Sequence, residues 1–330
     1  MSNRIVVAKA QPTLSEVHVN RPLTDLSLAF LQNRANYVAR RVFRSVPVPN
    51  VSNLYFTYDR SYWLRAAAQK RAPGAASAIS GYGIDTSSYN CVRDSLTKQI
   101  PDPIRAASDV ADLDREAMEF LTQNLLTTEE VNWAARYFTT SVWGTDVTGG
   151  TNFTKWNDAA STPIEDVKTG KRTVQQNTGL VPNKLVVGQL TFDRLSDHPD
   201  IIDRIKYGQT PGAPAIAAEV AMAQLFGLDE VLVARAVRNT AVEGATGSYS
   251  FVVGDDDALL VYAAPSPGLL TPSAGYTFVW AGAPGANSEG MYMKTYREEG
   301  LESDMIESNS WYDQKLVSNA LGYFFNDACD

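Results

Sequence analysis

Histidine and cysteine are almost missing from this sequence: two of each stand in 330 residues, His18 and His198, Cys91 and Cys329. Two cysteines make no disulfide framework, and with so few histidines the ligand density of a zinc site is lacking, so a reducing compartment suits the chain. A histidine-based triad has to draw on His18, in a stretch without regular periodicity, or on His198, in a Ser-Asp-His-Pro-Asp turn; both read as turn or surface residues. The Gly-x-Ser-x-Gly elbow, the His-Glu-x-x-His helix, the Walker loop and a Gly-x-Gly-x-x-Gly turn after a strand are all absent. No run approaches the ~20 apolar residues that cross a membrane. The first residues have no apolar core followed by a small-residue cleavage site, so neither a spanning segment nor a cleaved export signal is expected.

Positive charge is also short. A formal net charge of -8 and a pI near 5.0 exclude a protein that grips nucleic acid over its whole surface, because that requires many phosphate-neutralising cations. The deficit is uneven. Residues 1–44 hold Arg4, Lys9, Arg21, Arg34, Arg40, Arg41 and Arg44 against Glu16 and Asp25, seven minus two or +5, which leaves -13 for the remainder. A basic arm on an acidic body can reach an acidic neighbour or an anionic polymer. The run Asp255-Asp256-Asp257 has the ligand type of a hard-cation site but lacks the later Glu of a calcium loop, and reads as a solvated turn. No metal, cofactor or catalytic residue is expected.

With 44% hydrophobic residues, the chain can form two or three compact units. Residues 1–36 suit an extended arm. Residues 38–62 alternate β-branched and aromatic with polar residues around Pro47 and Pro49, which predicts two strands turning at the prolines. The Ala/Gly/Ser-rich stretch 66–88 predicts a long exposed loop, and Tyr89–Ile100 a returning strand that closes a two-stranded excursion. Apolar residues at helical spacing after Asp109, Asp112 and Asp114 predict a long helix over 108–136; Thr127 to Glu130 either interrupts it or begins a second one. Pro163 and Gly179 bracket a helix of about four turns. KLVVG at 184–188 is a buried strand, followed by helices over 191–196, 199–207 and 215–226. Strands are expected within 228–237, at 258–264 and at 276–282, and long antiparallel strands, turning near Glu299-Gly300 and Asn309, in the last third.

Several of these stretches resemble the major capsid proteins of tailed phages. The most specific is TVQQNTGLVPNKLVVGQLTFDRLSDHPDIIDRIKY with the following IAAEVAMAQLFGLDEVLVARAV. It carries the family's helix, Thr-Gly-x-x-Pro-Asn turn, apolar strand, helix pair and Leu-Phe-Gly helix end on Thr178, Gly179, Pro182, Asn183, Leu195, His198, Pro199, Ile202, Ile205, Lys206, Tyr207, Leu225, Phe226, Gly227 and Val231. Tyr37–Phe43, Val46–Val48, Tyr55–Tyr58 and Arg71-Ala72-Pro73-Gly74 extend the resemblance toward the N-terminus.

The resemblance implies an α+β fold of the Hong Kong 97 type: an N-terminal arm (1–37), an extended β-hairpin loop (38–100), a peripheral domain with a long spine helix and long antiparallel strands (101–156 and 281–330), and a central axial α/β domain (157–280). It implies a non-enzymatic subunit that self-assembles, as pentamers and hexamers, into an icosahedral head shell around double-stranded DNA, placed in the virion and assembled in the host cytoplasm. Implied partners are further copies of the chain, a portal, a separate scaffold or decoration protein, and packaged DNA touched weakly; no membrane is implied. Arg40, Arg41, Arg44, Trp63, Lys70 and Arg71 are the candidate intersubunit contacts. An encapsulin-like compartment shell shares the fold and stays open as an alternative, with a soluble α/β enzyme behind it.

Overall fold

The computed structural model describes residues 32–108, 112–208, 219–268, 270–283, 287 and 289–330. The arm expected over 1–37 lies outside them up to residue 31. In chain order the elements are helix α1 (Ala39–Val42), strands β1 (Ser45–Val48) and β2 (Ser52–Tyr58), helix α2 (Arg60–Trp63), strands β3 (Ile84–Asn90) and β4 (Val92–Pro101), helices α3 (Asp102–Ala107) and α4 (Leu113–Tyr137), strand β5 (Asp146–Thr148), helix α5 (Pro163–Thr178), strand β6 (Lys184–Gly188), and helices α6 (Gln189–Ser196), α7 (Pro199–Gly208) and α8 (Glu219–Phe226). Strands β7 (Glu230–Ala234), β8 (Val237–Asn239), β9 (Tyr249–Phe251), β10 (Ala258–Val261), β11 (Gly275–Trp280), β12 (Met291–Glu298), β13 (Ser303–Leu316) and β14 (Gly322–Asn326) complete the set.

One five-stranded sheet has the order β5-β14-β10-β6-β7. Strands β6 and β10 are buried at every position, as their unbroken apolar runs predict. Helix α5 lies against this sheet, and a Cβ added at Gly170 would stand 3.2 Å from Leu260 and 3.3 Å from the Tyr323 ring, so glycine there permits the close approach. Its C-terminus closes on Gly179 at φ 77°, a left-handed conformation that glycine adopts without strain.

The second sheet is built on β13. One side of β13 pairs with β4 from Ser303–Pro101 to Tyr312–Val92; the other pairs first with β12 and then, from Tyr312 onward, with β11. Strand β1 adds to β11 in parallel. The long helix α4 packs on this sheet. Asp112 caps it by accepting from the Arg115 amide at 3.0 Å, and Asp114 and Glu116 complement the N-terminal dipole. Every fourth residue from Ala117 through Leu121, Leu125, Glu129 and Trp133 to Tyr137 is buried. Neither an interruption nor a second start occurs at Thr127: its hydroxyl and that of Thr128 bond back to the Gln123 and Asn124 carbonyls, both at 2.9 Å, and the helix runs on.

The strands near the prolines form as expected but do not pair with each other. Strand β1 joins β11, whereas β2 pairs with β3, from Ser52–Asn90 to Tyr58–Ile84. The return strand of the excursion therefore begins at Ile84, within the segment read as loop, and β4 belongs to the long-stranded sheet instead. Asn309 is no turn: β13 passes through it, fully buried. Strand β11 joins the long strands rather than the α/β sheet, and β14 crosses over to lie beside β10. The misread pairings have one cause, that alternation reports a strand without naming its neighbour.

Candidate interaction surfaces

The β2–β3 ribbon and its connection, residues 52–90, carry a series of large exposed apolar side chains. Leu54 (62% exposed), Phe56, Tyr62, Trp63, Leu64, Ile79, Tyr82 and Ile84 are all exposed. Trp63 forms an aromatic cluster with Tyr58 and Tyr82, with ring centroids 5.3–6.1 Å apart. The base is rooted: Tyr89 stacks on Phe278 of β11 at 4.6 Å and Tyr55 approaches the same ring at 5.4 Å. The ribbon is also cationic, with Arg60, Arg65, Lys70 and Arg71 against Asp59 and Asp85. Lys70 and Arg71 are exposed, and the Arg71 guanidinium donates to the Ala75 carbonyl within its own loop. A cationic ribbon presenting this much apolar surface has the composition of a contact region rather than of a free monomer's surface.

The other three candidates stand together at the root of the arm and have different surroundings. Arg40 is held within the chain, its Nε donating to Glu129 at 2.7 Å and an Nη reaching Glu289 at 3.3 Å. Arg41 pairs with Glu230 of β7 at 2.7 Å while half-exposed, and its carbonyl accepts from the Lys184 ammonium. Arg44 is exposed and uses its carbonyl to accept from the Thr277 amide at 3.3 Å. The structure thus divides the six: Trp63, Lys70, Arg71 and Arg44 face outward, Arg41 is shared, and Arg40 is committed inside.

Sequence reasoning missed the two residues that hold this root, Glu129 and Glu130. Both carboxylates are buried on α4. The only signal was the place of Glu129 in the four-residue stripe that otherwise carries apolar side chains, while Glu130 beside it reads, without its tertiary partner, as part of a capping motif.

His198 is buried, not a surface residue. Its Nδ1 accepts from the Asp200 amide at 3.2 Å, so the proton sits on Nε2, which faces Ser161 Oγ at 3.0 Å and the Asp158 carbonyl at 3.2 Å. In that tautomer the ring cannot take a proton from Ser161, whose hydroxyl itself donates to the Asp158 carbonyl at 2.7 Å. The trio pins the entry to α7. The Asp255-Asp256-Asp257 turn is likewise less solvated than its composition suggests. Burial pushes the Asp257 carboxyl up to about 6, and its Oδ1 accepts from the Asp327 amide at 2.9 Å. Among the described residues no His, Cys, Asp and Glu side chains gather as a metal site, and no helix is long and apolar enough to cross a membrane.

Residues 145–304 match the family model for phage major capsid protein E. The chain is 26% identical over 83 residues to the major capsid protein of Burkholderia phage BcepMu, a match spanning about a quarter of each protein. Its fold is similar to that of a phage-related protein from Bordetella bronchiseptica RB50, with a TM-score of 0.67 and 20% identity over 90% of this chain and 93% of that one. It is similar also to the capsid of cyanophage P-SCSP1u, with a TM-score of 0.60 and 14% identity over 97% and 99%. The SrpI encapsulin of Synechococcus elongatus PCC 7942 shares the fold at a TM-score of 0.56 and 10% identity, covering 93% of both chains. At such identities the structures report the fold, an α+β fold of the Hong Kong 97 type, and residues 145–304 are similar to phage major capsid protein E.

Proposed function

We propose that this protein is a shell subunit without catalytic activity, which self-assembles as pentamers and hexamers into the icosahedral head of a tailed phage. The observation that carries the reading is the 52–90 ribbon. A two-stranded ribbon is marginal in water by itself, and this one exposes eight large apolar residues. Laid across a neighbouring copy, it loses that exposure at roughly 25 cal/mol per Å² of apolar surface, and its cations meet a body that is acidic in composition. Such contacts join different surfaces of successive copies, and closure by symmetry turns many weak ones into a stable particle. Trp63, Lys70, Arg71 and Arg44 are the residues we assign to them.

The contents of the shell are double-stranded DNA, touched weakly by an acidic wall so that it packs and leaves without sticking; a portal and a separate scaffold or decoration protein complete the particle, built in the host cytoplasm and carried in the virion. The shared fold of the SrpI encapsulin supports a second reading, a compartment enclosing protein. Negative-stain electron microscopy and sedimentation of the purified chain, with and without a co-expressed scaffold candidate, test the shell: closed particles or rings of five and six are expected, and a stable monomer under all conditions overturns it. Nuclease-resistant DNA in particles recovered from infected cells separates a genome shell from a protein compartment.

A further inference from the structure

Strand β4 is an edge with one long free side. Its ten residues pair with β13 without a break, from Tyr312–Val92 to Ser303–Pro101, and among the described residues no strand pairs with its other side. Edges are normally guarded by shortness, proline or a bulge, because a row of free N–H and C=O groups recruits another strand. In β4 the pairing has no bulge, and proline stands only at the last position. Alternate side chains share a face, and those of Val92, Asp94, Leu96, Lys98 and Ile100 lie on the side of α4. Lys98 sits over the Phe120 ring at 5.5 Å, and Ile100 shares a buried cluster with Leu121. Val92 is 60% and Leu96 38% exposed. One Asp94 oxygen accepts from the Tyr312 hydroxyl at 2.6 Å, while Lys98 has no acidic partner among the described residues.

We propose that the free edge of β4 pairs antiparallel with the same edge of a second copy, across a two-fold axis that passes through Leu96. The sequence of the strand selects both the partner and the register. Centred on Leu96, the pairing sets Asp94 of each copy opposite Lys98 of the other, so two opposite-charge pairs flank a Leu96–Leu96 contact. Val92 falls opposite Ile100, and on the other face Ser95 meets Thr97 and Arg93 meets Gln99. Directly opposite residues have Cβ atoms about 4.5–5.5 Å apart, within reach of such pairs. Moving to either adjacent register destroys the match: one opposes Arg93 to Lys98, and the other leaves Asp94 opposite Gln99. A contact that uses the same surface on both copies closes on itself. It differs in kind from the contacts assigned to the 52–90 ribbon, and it rests on the shell reading only for its place, which is between rings at the two-fold positions of the particle.

The test is disulfide trapping in the full chain carrying Leu96→Cys, made on unassembled subunits and on particles, with the buried native Cys91 and Cys329 as background. Mild oxidation should link the copies into dimers through the new thiols. Ser95→Cys alone should not link, because residue 95 lies opposite Thr97, whereas a mixture of Ser95→Cys and Thr97→Cys chains should. Charge gives a second readout, by sedimentation of the subunits. Asp94→Lys or Lys98→Glu alone sets like charges opposite each other at both pairs and should weaken self-association about tenfold. Mixing the two variants should restore it, since each then supplies the charge the other lacks. No disulfide from Leu96→Cys in subunits or particles, efficient linking by Ser95→Cys alone, or no rescue on mixing the folded charge variants overturns the pairing. The Leu96→Cys result decides alone if Asp94→Lys fails to fold. Particles without the disulfide end this proposal and leave the shell reading standing; disulfide dimers from a chain that never forms particles do the reverse.

Discussion

The KLVVG strand β6 and the NLYFTY stretch of β2 are both rich in apolar and aromatic residues, yet one is buried at every position and the other exposes Leu54 and Phe56. The difference lies in what the chain places over them. Strand β6 has β10 and β7 at its sides and a helix from the same unit nearby; β2 has only β3. Apolar content in this protein therefore has two destinations, a core closed within the chain and a ribbon left exposed.

The largest test of that contrast is Phe324→Ala in the buried sheet. Phe324 is fully buried beside Phe138, with ring centroids 5.4 Å apart, and its truncation should cost ~3–5 kcal/mol in urea unfolding. Next is Arg40→Ala, which leaves Glu129 buried without its cation and should cost about 3 kcal/mol. The neighbouring Arg41→Ala breaks a half-exposed pair and should cost no more than about 1 kcal/mol. Equal losses for the two arginines would show that the root is not divided into committed and shared halves. The smallest effect on stability is expected for Phe56→Ser with Trp63→Ser, within about 0.5 kcal/mol by denaturation of the unassembled subunit. Those same substitutions should move the chain from particles to free subunits in sedimentation. A ribbon variant that unfolds the subunit, or one that assembles normally, erases the contrast.

Much of the architecture was legible in the sequence because local chemistry fixes it. Asp112, Asp114 and the spaced apolar residues announce α4; Pro163 and Gly179 bracket α5; the unbroken KLVVG run marks a buried strand. Pairing was not legible, because alternation in 92–101 and 322–326 is as compatible with one neighbour as with another until the sheets are assembled. The outward candidates Trp63, Lys70 and Arg71 could be read from a segment with no core periodicity. Arg40 could not be distinguished from Arg44, since only the fold brings Glu129 beneath one of them. Nor could the role of Glu130 be read, for its partners are backbone amides 91 and 92 residues away and leave no side-chain signature.

The place of β14 between β5 and β10 has a consequence in time. The 52–90 ribbon pairs segments close in sequence and can form as soon as that stretch leaves the ribosome, whereas the buried sheet waits for residues 322–326, made after every other strand. Contacts that distant are slow to close. A nascent chain thus displays its exposed apolar ribbon before its own body is finished.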